Sequence, residues 1–160
     1  THSRDKDAIA TSCLIAEMAL QLKKKGKTLI DLLNEIYQTF GPFNEKQLSL
    51  SFGGGIEGIE KMQMLMENLR KNPPEEIGGQ KVISIEDYLI SEKRYIESQK
   101  KDRLTLPVSN VLVFRLTDNS KYVIRPSGTE PKLKIYGLSR SKNLDSVEQS
   151  LSSLKMTYFS

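Results

Sequence analysis

Arg125-Pro126-Ser127-Gly128-Thr129-Glu130-Pro131-Lys132 is the stretch of this 160-residue chain best equipped for chemistry. An arginine presents a planar fork that grips two phosphate oxygens at once and keeps its charge near neutrality. Ser127 and Thr129 add hydroxyl donors two residues apart. Gly128, between them, has no side chain, so its N–H can turn toward an anion in a backbone nest. Pro126 and Pro131 stiffen the shoulders, which lowers the entropy lost when a ligand orders the loop. Lys132 and Lys134 add positive potential on one strand face, whereas Glu130 opposes an anion and is expected to turn aside toward a basic side chain. The same residues also make an ordinary turn between strands. Turn chemistry alone leaves both readings open.

The charge is distributed to match. The chain carries a net +4, and residues 121–140 hold five Lys/Arg against Glu130 alone, while residues 1–43 hold six against five acids. A short positive site suits a small anion. A nucleic-acid track would want a longer basic stripe or stacking aromatics, so no nucleic acid is expected as a partner. The longest apolar-rich stretch, Ala8 to Leu22, is too short for a membrane span and contains Glu17 and Gln21, which excludes a membrane partner. One cysteine, Cys13, implies no disulfide and no oxidising compartment, and a cytoplasmic location is expected. Cys13 lies in an apolar helix and reads as core rather than nucleophile. His2, a lone residue near the start, does not read as an acid–base catalyst.

These residues need elements to hold them. Ala8 to Leu22 reads as a helix capped by Asp5 or Asp7, and Thr28 with Asp31 makes a capping-box start to a second helix that Gly41 ends. Lys23-Lys24-Lys25 reads as a solvated turn between them. Two helices cannot bury such apolar faces alone. With the opening Thr1-His2-Ser3-Arg4, this predicts that residues 1–43 are the tail of a domain whose remainder is missing here; the alternative is a hairpin docked on the following domain.

Residues 44–160 read as a compact α+β unit. Gln47 to Phe52 alternates as a strand. Gly53-Gly54-Gly55 then leads into a helix with Ile56, Ile59, Met62, Leu65, Met66 and Leu69 on one face, stopped at Pro73-Pro74. The triple glycine lacks the lysine and hydroxyl of a nucleotide loop and reads as a tight turn. Extended segments follow: Lys81 to Leu89, a strand pair within Ser91 to Arg103, Val111 to Leu116, an Asp118-Asn119 turn, Tyr122 to Arg125, and Lys132 to Leu138. Leu144 to Met156 closes as a helix. The pattern predicts an antiparallel sheet covered on one face by helices.

Tyr122 to Tyr136, Tyr-Val-Ile-Arg-Pro-Ser-Gly-Thr-Glu-Pro-Lys-Leu-Lys-Ile-Tyr, closely resembles the C-terminal phosphate-binding loop of the α-D-phosphohexomutases, the superfamily of phosphoglucomutases and phosphomannomutases. Arg4-Asp5-Lys6-Asp7-Ala8 and Ile15-Ala16-Glu17-Met18-Ala19 resemble the close of that family's third domain. Leu104 to Val111 resembles the larger bacterial branch. The likeness covers essentially the whole chain, as the last quarter of such an enzyme.

The resemblance implies a C-terminal domain of TATA-box-binding-protein-like fold within a four-domain isomerase. That enzyme moves a phosphoryl group between the 1- and 6-hydroxyls of a hexose through a hexose bisphosphate. It implies Mg2+ for the full enzyme, on an aspartate-rich loop this chain lacks, and a phosphoserine and sugar-reading loop in domains that precede it. Hexose phosphate and the missing N-terminal domains are the implied partners. Arg125, Ser127, Gly128 and Thr129, and more weakly Lys132, match the residues that hold the substrate's non-reacting phosphate. No catalytic or metal residue carries over, so this portion alone is expected to be inactive. A free-standing sugar-phosphate-binding module and a phosphopentomutase of the same superfamily are the alternatives.

Overall fold

The computed structural model describes residues 7–140 and 146–158, which fall into two compact units divided between Pro42 and Phe43. In the first unit, α1 (Ala8–Lys24) is capped by Asp7, whose carboxylate accepts the Ala10 N–H at 2.8 Å. The capping box expected for α2 (Leu29–Phe40) is complete, with Thr28 and Asp31 each accepting the other's backbone N–H. Gly41 ends the helix at φ +88°. Cys13 is exposed, which corrects its reading as core. Among the described residues of these two helices only Leu22 is buried, because a pair of helices has one seam to offer. His2 and Asp5 lie outside the described residues.

The second unit is built on an antiparallel sheet in the order β1 (Asn44–Ser51), β8 (Lys132–Ser139), β7 (Lys121–Pro126), β6 (Leu112–Leu116), β3 (Gln80–Asp87), β4 (Glu92–Tyr95), β5 (Lys101–Arg103), with a short β2 (Glu76–Ile77) paired to β3. β1 joins β8 through eight antiparallel rungs, from Asn44 opposite Ser139 to Ser51 opposite Lys132. Alternation assigns the faces. Leu112, Phe114 and Leu116 of β6, Tyr122 and Ile124 of β7, and Leu133 and Ile135 of β8 point into one core. Met62, Met66 and Leu69 of α3 (Gly55–Lys71) and Val147, Leu151 and Leu154 of α4 (Ser146–Tyr158) cover that face. Leu144, expected in the last helix, lies outside the described residues.

The buried stripe of α3 is shorter than its apolar spacing predicts. Ile56 is 76% exposed and Ile59 42%, while Met62, Met66 and Leu69 are buried and Leu65 is partly buried. The reason is the tight turn: Gly53 and Gly55 both take positive φ, and the helix rises so close to that turn that a Cβ on Gly58 would lie 2.7 Å from the Gly53 carbonyl oxygen. The first turns of α3 therefore overhang the sheet instead of lying on it.

Gly137 fixes how α4 seats. A Cβ there would lie 2.5 Å from Val147 Cγ1 and 2.9 Å from Tyr122 Cε1. Gly137→Ala is expected to cost about 1–3 kcal/mol through overpacking, read as a lower denaturation midpoint with the m-value unchanged.

Candidate functional site

The loop singled out in the sequence joins β7 to β8. The strands are held in register up to Pro126 opposite Leu133, and the Ser127 N–H donates to the Lys132 carbonyl at 2.7 Å to close the hairpin. The Lys132 N–H in turn donates to the Glu130 carbonyl at 2.7 Å. Among the described residues, no partner engages the Gly128 or Thr129 N–H, nor the hydroxyls of Ser127 and Thr129. Gly128 and Thr129 are exposed and Ser127 is half-buried.

Under the overhang of α3 this loop lines a half-open cavity of about 310 Å3. Residues 126–131 form one wall, Ile59, Met62, Gln63 and Met66 the other, and Asn110 the end. Ser127, Gly128 and Thr129 thus share one concave surface. Glu130 pairs with the Lys132 ammonium at 3.0 Å, the turn toward a basic side chain that the sequence predicted. Lys132 is correspondingly part-neutralised.

Arg125 sits apart from that cavity. It follows core-facing Ile124 and so lies on the opposite, open face of the sheet, across from Lys134. Its Nη2 donates to the Tyr136 hydroxyl at 3.2 Å, with the guanidinium 5.7 Å from the Tyr136 ring centre. Among the described residues no carboxylate pairs with it, so its charge stands uncompensated at the base of the loop.

Two polar clusters were missed by sequence reasoning. On the open face, Arg115 donates from Nε and Nη2 to the two carboxylate oxygens of nearly buried Glu86, and Lys93 approaches the same group at 3.4 Å. Burial pushes the Glu86 carboxyl up, but the Arg115 hydrogen bond and the charges of Arg115 and Lys93 outweigh it and hold the group below its ordinary value. Burial, and then Glu86 itself, raises the neighbouring Tyr88 phenol. On the helix side, Arg70 of α3 links Asp87 to Asn110. An acid within the apolar run Val82 to Asp87 was the only sequence signal for either cluster.

Among the described residues, no three His, Cys, Asp or Glu side chains gather to hold a metal ion, and no helix is long and apolar enough to cross a membrane.

The chain is similar in sequence to known proteins. Residues 67–143, from α3 past β8, match the family described as phosphoglucomutase/phosphomannomutase, C-terminal domain. The chain is 42% identical over 151 residues to a phosphoglucomutase of Staphylococcus aureus strain MSSA476, covering 94% of this chain and 27% of that protein. A phosphoglucomutase of strain N315 is 40% identical over the same length. A solved structure of pp63/parafusin, a phosphoglucomutase from Paramecium in its open form, matches 81% of this chain and 22% of its own, with 16% identity and a TM-score of 0.45. The chain spans about a quarter of the length of the curated relatives it matches. Residues 67–143 thus match that family's C-terminal domain, and the chain is similar to the C-terminal part of a phosphohexomutase.

Proposed function

We propose that the β7–β8 loop grips the non-reacting phosphate of a hexose phosphate while the rest of a phosphohexomutase interconverts the 1- and 6-phosphates. Residues 1–43 would close the enzyme's third domain, and any magnesium would be held outside this chain. The observation that carries the reading is a rim of unengaged donors, two hydroxyls and two backbone N–H groups, with Arg125, which pairs with no acid among the described residues, at the base of the same loop on the opposite sheet face. A sugar phosphate dianion offers acceptors on every free phosphate oxygen, so these donors can gain charge-assisted bonds when it binds. The names of the similar proteins favour a glucose phosphate over a mannose or pentose phosphate.

What this domain contributes is binding energy at a distance from the chemistry. A phosphate held here orients the sugar and draws the domain over the cleft, converting contacts at one end into rate at the other. Because a bisphosphate must present each end here in turn, the loop reads phosphate and not the stereochemistry of the ring. Taken alone, an open loop with a few hydrogen bonds should bind at about millimolar strength, near −4 kcal/mol.

The test is an amide-shift titration of the 160-residue chain with inorganic phosphate and with glucose 6-phosphate. Both are expected to move Ser127, Gly128 and Thr129; shifts confined to residues 23–27 would overturn the reading. Gly128→Ala sharpens it. A Cβ at Gly128 meets nothing within 4 Å and its φ is not in the left-handed region, so the fold accepts alanine. The melting temperature should hold while phosphate binding weakens, because the methyl occupies the ligand's approach.

A further inference from the structure

Arg70, in the last turn of α3, donates from Nε to Asp87 Oδ2 at 2.9 Å and from Nη2 to Asn110 Oδ1 at 2.5 Å. The other Asp87 oxygen accepts the Leu89 N–H at 3.0 Å, so the carboxylate is held from both sides. A guanidinium has no lone pair to offer. The atom of Asn110 that meets it must therefore be the oxygen, and the amide's two N–H donors are left to the other side. Among the described residues nothing accepts from them. The backbone at this position is pinned as well: Ser109 N–H donates to the Tyr88 carbonyl at 3.2 Å and Tyr88 N–H to the Val111 carbonyl at 3.0 Å. Asn110 lines the same cavity as Ser127, Gly128 and Thr129.

We propose that Asn110 is a further ligand for the phosphate taken by the β7–β8 loop, donating from Nδ2, with Arg70 as the positioning residue that sets the direction of its amide. The proposal rests on the phosphate-binding reading of the loop. Its logic is complementarity: loop hydroxyls, loop N–H groups and a side-chain amide whose N–H groups have no acceptor among the described residues all want an acceptor, and the oxygens of a phosphate supply several. The one carboxylate lining the cavity, Glu130, is occupied by Lys132. Arg70 acts only through Asn110, since its charge is already matched by Asp87.

The experiment titrates the 160-residue chain with inorganic phosphate while following backbone and side-chain amide signals. The Asn110 Nδ2 pair is expected to shift together with the amides of 127–129, along one binding curve. Asn110→Asp can still accept from Arg70 but presents a carboxylate to the anion, and should weaken phosphate binding about tenfold with the melting temperature held. Asn110→Ala, a second variant free of added charge, should weaken it by a smaller factor. Arg70→Lys keeps the charge and loses the fork, and should diminish the Asn110 shift selectively. If 127–129 respond while the Asn110 pair stays still and Asn110→Asp binds like the parent, the proposal is overturned and the loop reading stands. If 127–129 do not respond, both fall.

Discussion

Arg125→Ala in the full-length enzyme is expected to lower kcat/KM by at least tenfold and to leave the melting temperature almost unmoved. The size follows from what a guanidinium gives a phosphate: each charge-assisted hydrogen bond is worth about 1.5–3 kcal/mol, and the fork can make two. The neutrality of the fold follows from where the residue sits. Arg125 is exposed on the open sheet face and touches the Tyr136 hydroxyl and ring, contacts whose loss at a surface costs at most about 0.5 kcal/mol. Arg125→Lys separates charge from shape, and an intermediate loss is expected because a point charge cannot engage two oxygens in one plane. Steady-state kinetics with glucose 1-phosphate decide it. An alanine variant with unchanged kcat/KM would show that the guanidinium never leaves Tyr136 for the substrate.

The second large effect is on stability. Arg70→Ala removes the partner of Asp87, whose side chain is 12% exposed, and leaves a carboxylate in the core with only the Leu89 N–H to meet it. Breaking a buried pair from one side costs about 3–5 kcal/mol, a large share of the 5–15 kcal/mol typical of whole domains. Urea denaturation should show a markedly lower midpoint. Removing both charges at once, as Arg70→Met with Asp87→Leu, should recover most of the loss, since well-packed apolar side chains commonly match such a pair. A single-variant loss under about 1 kcal/mol would mean that water reaches the carboxylate and the pair behaves as a surface one.

What could be read from the sequence and what could not divide along a physical line. Thr28 and Asp31 announced a helix start because capping is a three-residue affair. The strands of β6, β7 and β8 were legible through alternation, and the 125–132 loop through its turn chemistry and family likeness. Arg70 meets Asp87 across 17 residues and Asn110 across 40, and Arg115 meets Glu86 across 29. No local pattern encodes such meetings; they exist only once the sheet order does. Ile56 and Ile59 misled for a related reason. Helical spacing says which face a residue is on, but not whether the sheet extends beneath it, and the turn at Gly53 carries the first turns of α3 past the core. That same stretch of α3 lines the cavity that Asn110 and the loop share.

The pairing of β1 with β8 has a kinetic consequence. The strand that leads this sheet in the sequence is closed by the strand that comes last, so its eight rungs join distant positions and none can form until nearly all of the intervening chain exists. Meanwhile β6, β7 and β8 are neighbours by short hairpins and can zip locally. During synthesis β1 therefore waits as a bare, half-apolar edge, the kind of surface that recruits chaperones or other nascent chains. Long-range closure of this sort slows folding at a given stability. Closing β1 onto β8 is therefore the late step in forming this sheet.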